Sequence, residues 1–244
     1  MHVSATHPTI VATSGGFRAG RRTALEFAPL VHHAVELARV GDRPTRLCYL
    51  GTAMGDQEWF TARALQAGRL AGHDTSVLNL FTMPSVDDVR AHLLAQDVVW
   101  VGGGSVANLL AVWRVHGLDA VFREVWEAGV VLGGVSAGSL CWHVGGTTDS
   151  FGPELRTVTN GLALLPWGNG VHYDSEPQRR PLLHALVADG TLPTSYATDD
   201  GVGLVYQHTE LAEAVTEVAG KGAYRVERRA GGVAETRIEP RLLR

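Results

Sequence analysis

Two spacings of apolar residues run along this chain. Short, largely apolar runs at Thr9–Thr13, Arg46–Leu50, Ser76–Leu80, Asp97–Val101 and Val130–Leu132 have the length of buried strands. Between them apolar positions recur at threes and fours. Leu25, Leu30, Val31, Ala34, Val35 and Ala38 predict a helix over about Thr23–Arg39, and Trp59, Phe60, Ala64, Leu65 and Leu70 a second over about Gln57–Ala71. Ser85-Val-Asp-Asp88 offers an N-cap and an acidic first turn to a helix ending near Gln96. Leu109, Leu110 and Trp113 mark the next, and a further one runs from an Asp119 cap to Ala128, with Gly129 as its stop. Strands alternating with helices make βαβ units, hence a mostly parallel, doubly wound sheet flanked by helices: an α/β fold.

Beyond about Thr157 the pattern loosens. A helix is expected from about Gln178 to Ala188, then β-like runs at Ser195–Thr198, Gly203–Tyr206, Val215–Val218 and Tyr224–Arg228, read as a sheet extension with short antiparallel hairpins. No linker or internal repeat interrupts the 244 residues, so one domain over residues 1–244 is expected.

Sites in such sheets form beyond the carboxyl ends of the strands. Three Gly-rich segments lie at such ends: Gly15-Gly16, Gly102-Gly103-Gly104 and Gly133-Gly134-Val135-Ser136-Ala137-Gly138. The last is a G-x-S-x-G run between an apolar strand and an apolar segment of helical character, the pattern of a nucleophile elbow. There a tight turn lifts a serine hydroxyl clear of the sheet, and the next backbone N–H can stabilise an oxyanion. A serine needs a base, and the base needs an acid to hold its tautomer. Of the 11 histidines, His172 is the best candidate, because it ends a short extended run after Gly168-Asn169-Gly170. His32, His33 and His184 fall within predicted helices, and His143 within the helix leaving the elbow, where packing or surface roles fit better.

Composition narrows the classes. Hydrophobic residues at 45% and charged residues at 19% describe a globular chain with a sizeable core. A net charge of −4 gives no global attraction to nucleic acid or anionic membrane, and Arg18, Arg21 and Arg22 form only a local basic cluster. Cys48 and Cys141 are expected as reduced core residues. Met1–Pro8 lacks the basic and apolar regions of a signal peptide, and no apolar run is long enough to span a bilayer, so a cytoplasmic protein is expected. No H-E-x-x-H or paired-cysteine pattern points to a metal, and no cofactor is called for.

The chain resembles the peptidase E group of serine peptidases, the aspartyl dipeptidase and cyanophycinase family built on a fold like the class I glutamine amidotransferases, which is flavodoxin-like. The stretches that carry the resemblance are Val101–Leu110, Gly134–Gly138 with Thr147-Thr148-Asp149 after it, and Val171-His172-Tyr173 followed by Gln178-Arg179-Arg180, within about Thr9–Tyr206. It implies that Ser136 is the nucleophile and His172 its general base and acid, with the N–H groups of Ala137 and of Gly103 or Gly104 as the oxyanion hole. It further implies a carboxylate on the turn Ala197–Gly201, at Asp200, as the residue orienting His172, while Asp149 matches a second acidic position and could instead shape the pocket. Arg179, Arg180 and Tyr173 fall where the family binds substrate. Asp174 and Glu176 precede the arginines, and acids there suit a cation better than an aspartyl side chain.

The implied activity is hydrolysis of small peptides through an acyl-enzyme, by a monomer or homodimer with no nucleic-acid or membrane partner. An α/β-hydrolase esterase is disfavoured because His172 follows Ser136 too soon, and a glutamine amidotransferase needs cysteine where Ser136 stands. The alternative outside enzymology is a non-catalytic ligand-binding or regulatory module on the same fold.

Overall fold

Residue alternation along the central strands decides the architecture. In the computed structural model, which describes residues 5–244, the chain runs through β1 (Thr9–Thr13), a small hairpin of β2 (Phe17–Arg18) and β3 (Glu26–Phe27), α1 (Pro29–Ala38), β4 (Arg46–Leu50), α2 (Glu58–Leu70), β5 (Asp74–Val77), α3 (Val89–Leu94), β6 (Val98–Val101), α4 (Val106–Val115), α5 (Leu118–Glu127), β7 (Val131–Val135) and the short α6 (Ala137–Leu140). Then follow β8 (Gly145–Thr148), β9 (Arg156–Val158), β10 (Gly168–Gly170), α7 (Arg179–Ala188), β11 (Ser195–Thr198), β12 (Val202–Gln207), β13 (Glu210–Thr216), β14 (Ala223–Arg229), β15 (Gly232–Ile238) and β16 (Arg241–Leu242). The signal-peptide reading rests partly on the first four residues, which lie outside the described residues.

The larger sheet has the order β16-β13-β12-β1-β7-β6-β4-β5, with β1, β7, β6, β4 and β5 mutually parallel and β12 and β13 added antiparallel. Val11, Leu47, Tyr49, Val98, Trp100 and Val131 bury against α1 and α2 on one face. Their neighbours Ile10, Cys48, Leu50, Val99, Val101 and Leu132 bury on the other, against α3, α4 and α5. Helices therefore cover both faces of a mixed α/β fold, as the continuous apolar runs require. Cys48 and Cys141 are free and buried. Among the described residues no helix is long and apolar enough to cross a membrane, and no three His, Cys, Asp or Glu side chains are grouped to hold a metal ion.

Several expectations are corrected. The carboxyl-terminal part does not extend the first sheet alone. A second, six-stranded sheet of order β15-β14-β11-β10-β8-β9 forms, with β8, β10 and β11 parallel. The helix expected from Thr23 begins only at Pro29, because Glu26 and Phe27 pair with Arg18 and Phe17, and proline at the first helical position fixes the start. The strand expected over Ser76–Leu80 is Asp74–Val77; the Leu80 and Phe81 N–H groups leave the sheet for the Asp56 carboxylate, at 2.5 and 3.1 Å. Gly117, not Asp119, precedes α5. The helix leaving the elbow is only four residues long, and His143 lies just past it.

That histidine is fully buried, its Nδ1 2.9 Å from the Ser139 carbonyl oxygen, and burial lowers its pKa to about 4. The unfolded chain, at about 6.5, therefore takes up a proton that the folded chain refuses. Stability is complete above about pH 6.5 and falls as the pH drops toward 4. Between pH 7 and 4.5 we expect the wild type to lose about 2–3 kcal/mol more than His143→Gln in urea unfolding. Equal losses would show that the buried imidazole is not responsible.

Candidate active site

Val101 and Gly134 are register partners on β6 and β7, and the chain turns back on itself just beyond. A β-carbon on Gly134 would meet the Gly138 carbonyl oxygen at 2.4 Å, and one on Gly138 would meet the Val101 carbonyl oxygen at 2.2 Å. Both contacts are with backbone, which cannot swing away. Gly138→Ala is expected to lower stability by about 3 kcal/mol or more and to abolish any activity that needs the turn; a wild-type melting temperature would contradict this packing. Between these glycines Ser136 has φ 57° and ψ −111°, in a region that L residues rarely occupy and that costs a non-glycine residue about 1–3 kcal/mol.

Two consecutive residues at the end of β1 tie the site together. The Ser136 N–H donates to the Thr13 carbonyl at 3.0 Å. The Ser14 hydroxyl oxygen accepts the His172 N–H at 3.1 Å and lies 2.7 Å from the Thr198 hydroxyl, and the Ser14 carbonyl accepts the Gly201 N–H at 3.0 Å. Sequence reasoning missed Thr13 and Ser14. The signal available was their position at the carboxyl end of a fully buried strand, where the Gly15-Gly16 segment was already noted.

His172 follows β10 and Asp200 follows β11, neighbouring parallel strands of the second sheet, so both emerge at the same edge. His172 Nδ1 lies 2.6 Å from Asp200 Oδ1. Since a carboxylate only accepts, Nδ1 carries the proton in the neutral ring and Nε2 is left as the basic nitrogen. The Asp200 N–H in turn donates to Asp174 Oδ1 at 2.9 Å, and Lys221 pairs with the other oxygen of Asp174. Burial works against the Asp174 carboxylate, but Lys221 and the Asp200 N–H outweigh it and hold its pKa below the usual range.

Of the expected oxyanion donors, Gly103 comes close to the serine, since a β-carbon on it would stand 3.3 Å from Ser136 Cβ. Ala137 opens α6, where a helix N–H has no carbonyl one turn earlier. Gly104, at φ 129°, packs on the Ala53 carbonyl, which a β-carbon would meet at 2.4 Å.

Four candidates remain, of which Tyr173 adjoins the histidine in sequence. Asp149 follows β8, is 62% exposed and stands 4.0 Å from Arg179 Nη2. It borders a cleft of about 500 Å³, with Asp149, Gly152 and Leu155 on one side and Ser175, Glu176 and Gln178 on the other. The Glu176 N–H donates to the His172 carbonyl at 3.1 Å, so one wall of the cleft belongs to the histidine loop, and the other is the segment after β8, whose Ser150 accepts the Ala107 N–H of α4 at 3.3 Å. Arg179 is only 2% exposed and spends its donors on Glu176 Oε2 (2.9 Å) and the Thr147 carbonyl (2.6 Å). Arg180 pairs with Glu235 and lies over the rings of Tyr173 and Tyr224, 4.3 and 4.5 Å from their centroids. Tyr173 is buried and donates its hydroxyl to Glu235 at 2.9 Å. Both arginines are thus held by protein partners, and so are the acids Asp174 and Glu176 ahead of them.

The sequence profile of peptidase family S51 matches residues 20–214. The chain is 40% identical over 181 residues to the uncharacterized peptidase YgaJ of Bacillus subtilis (strain 168), a match that spans 74% of this chain and 77% of that one. It is 27% identical over 196 residues to peptidase E of Shewanella denitrificans (strain OS217), across 75% and 80% of the two chains. In fold it is similar to the crystal structure of a peptidase from an acI-B1 actinobacterium, with a TM-score of 0.66 at 15% identity over 97% and 96% of the chains. On these relationships the chain belongs to peptidase family S51, the peptidase E family, and is a peptidase.

Proposed function

We propose that the protein is a cytoplasmic serine peptidase that hydrolyses small peptides on a class I glutamine amidotransferase-like, flavodoxin-like scaffold, using only groups of its own chain. The observation that carries this reading is the common anchorage: Ser136 in its strained turn and His172 beside Asp200 are both hydrogen-bonded to the dipeptide Thr13-Ser14. His172 Nε2 takes the Ser136 hydroxyl proton as Oγ attacks the scissile carbonyl carbon. Negative charge moves onto the carbonyl oxygen, toward the N–H groups of Ala137 and of Gly103 or Gly104. The imidazolium, held by Asp200, then gives its proton to the leaving amine. An acyl-enzyme ester remains, and water deprotonated by the same nitrogen attacks it, returning the serine proton as the acid leaves.

The cleft beside Asp149 has room for a residue flanking the scissile bond. With Arg179 and Arg180 engaged by Glu176 and Glu235, a substrate carboxylate finds little free positive charge there. We therefore expect dipeptides with neutral or basic N-terminal residues to be cleaved at least about tenfold faster than Asp-X, a difference of about 1.4 kcal/mol, measured as kcat/KM across a panel. Cleavage restricted to Asp-X would overturn this preference and keep the mechanism. No cleavage of any peptide would overturn the peptide-hydrolase reading.

A further inference from the structure

Glu235 lies on the edge strand β15, far in sequence from Ser136 and His172, yet its carboxylate gathers three side chains from the segment that follows His172. The Tyr173 hydroxyl donates to Oε2 at 2.9 Å, His184 Nε2 lies 2.8 Å from the same oxygen, and Arg180 pairs with Oε1. The carboxylate is only 19% exposed. Arg180 and His184 are one turn apart on α7. Burial and the Glu235 hydrogen bond both push the Tyr173 phenol up, so it stays protonated as a donor.

Tyr173 is the residue next to His172, whose φ is 53°. A histidine in the left-handed region is held against a cost of about 1–2 kcal/mol, so its neighbours must dictate the conformation. Backbone bonds supply part of this: His172 N–H to Ser14, Tyr173 N–H to the Thr198 carbonyl at 3.1 Å, and Glu176 N–H to the His172 carbonyl. The far end of the Tyr173 side chain is held by the Glu235 carboxylate, which accepts its hydroxyl hydrogen bond. We propose that Glu235 is a positioning residue for His172, acting through the Tyr173 hydroxyl to fix the histidine backbone and so the aim of its imidazole at Ser136. This rests on the reading of His172 as the general base.

The test uses a fluorophosphonate on the full chain, separating the maximal rate of Ser136 labelling from the probe concentration giving half that rate. Glu235→Gln and Tyr173→Phe are each expected to lower the maximal rate about ten- to hundredfold, the cost of a misplaced catalytic group, with the half-saturating concentration unchanged. Because both act through one hydrogen bond, the double variant is expected to be no slower than the slower single one. Glu239→Gln, on the same chain segment but paired with exposed Arg237, is expected to label at the wild-type rate. Wild-type labelling by Glu235→Gln with a lowered melting temperature would reduce Glu235 to a structural role. Losses that multiply in the double variant would separate Glu235 from Tyr173, and a raised half-saturating concentration alone would make Tyr173 a binding residue; either overturns the proposal. If Glu235→Gln does not fold, Tyr173→Phe decides, since it deletes the same bond and keeps the ring under Arg180. Failure of the underlying reading shows separately, as wild-type labelling by His172→Ala.

Discussion

Ser136→Ala is expected to lower peptide hydrolysis by about 10⁵- to 10⁶-fold, the usual consequence of deleting the nucleophile of a serine hydrolase. It removes one oxygen and keeps the β-carbon, so the turn at φ 57° survives and the melting temperature should change little. The variant then separates chemistry from folding. A residual rate above that of water is expected, because the backbone N–H groups around the elbow remain. Activity within about tenfold of the wild type would show that Ser136 is not the nucleophile.

Asp200→Asn is expected to reduce kcat by about 10²- to 10⁴-fold. Asparagine is nearly isosteric, but its amide can turn an N–H toward His172 Nδ1 and favour the tautomer that carries its proton on Nε2, which cannot take the serine proton. Asp200 is 42% exposed, so water shares in stabilising the imidazolium, and the loss should fall short of that for a buried acid. Asp149→Asn leaves the 2.6 Å contact intact and should act on substrate preference more than on kcat. The reverse order of effects, with Asp149→Asn costing more in kcat than Asp200→Asn, would exchange the roles of the two acids.

The elbow was readable in the sequence because its constraint is local. Gly134 and Gly138 are spaced so that two backbones can touch, and no other residue type fits contacts of 2.4 and 2.2 Å. The parallel core was equally plain, since strands buried on both faces read as continuous apolar runs. Asp200 was reached through the resemblance to the peptidase E family, and its place just after a strand gives it the same edge as a histidine just after another. The second sheet was not readable: β8 and β10 are short and rich in glycine, and hydrophobic spacing marks a strand without saying which sheet it joins.

Long-range partners were hidden for the same reason. Ser14 meets His172 across 158 residues of sequence, and Glu235 meets Arg180 across 55. The resemblance placed Arg179 and Arg180 where substrate binds. In the fold one is buried on Glu176 and a carbonyl group, and the other lies over two tyrosine rings.

The central claim is that Ser136, activated by His172, attacks the substrate and forms a covalent intermediate. Its most direct test is mass-spectrometric mapping of the protein after reaction with a fluorophosphonate. The expected result is one adduct, on the peptide containing Ser136, absent from Ser136→Ala and much slower to form in His172→Ala. An adduct elsewhere, or none in a protein that still hydrolyses peptides, would contradict it.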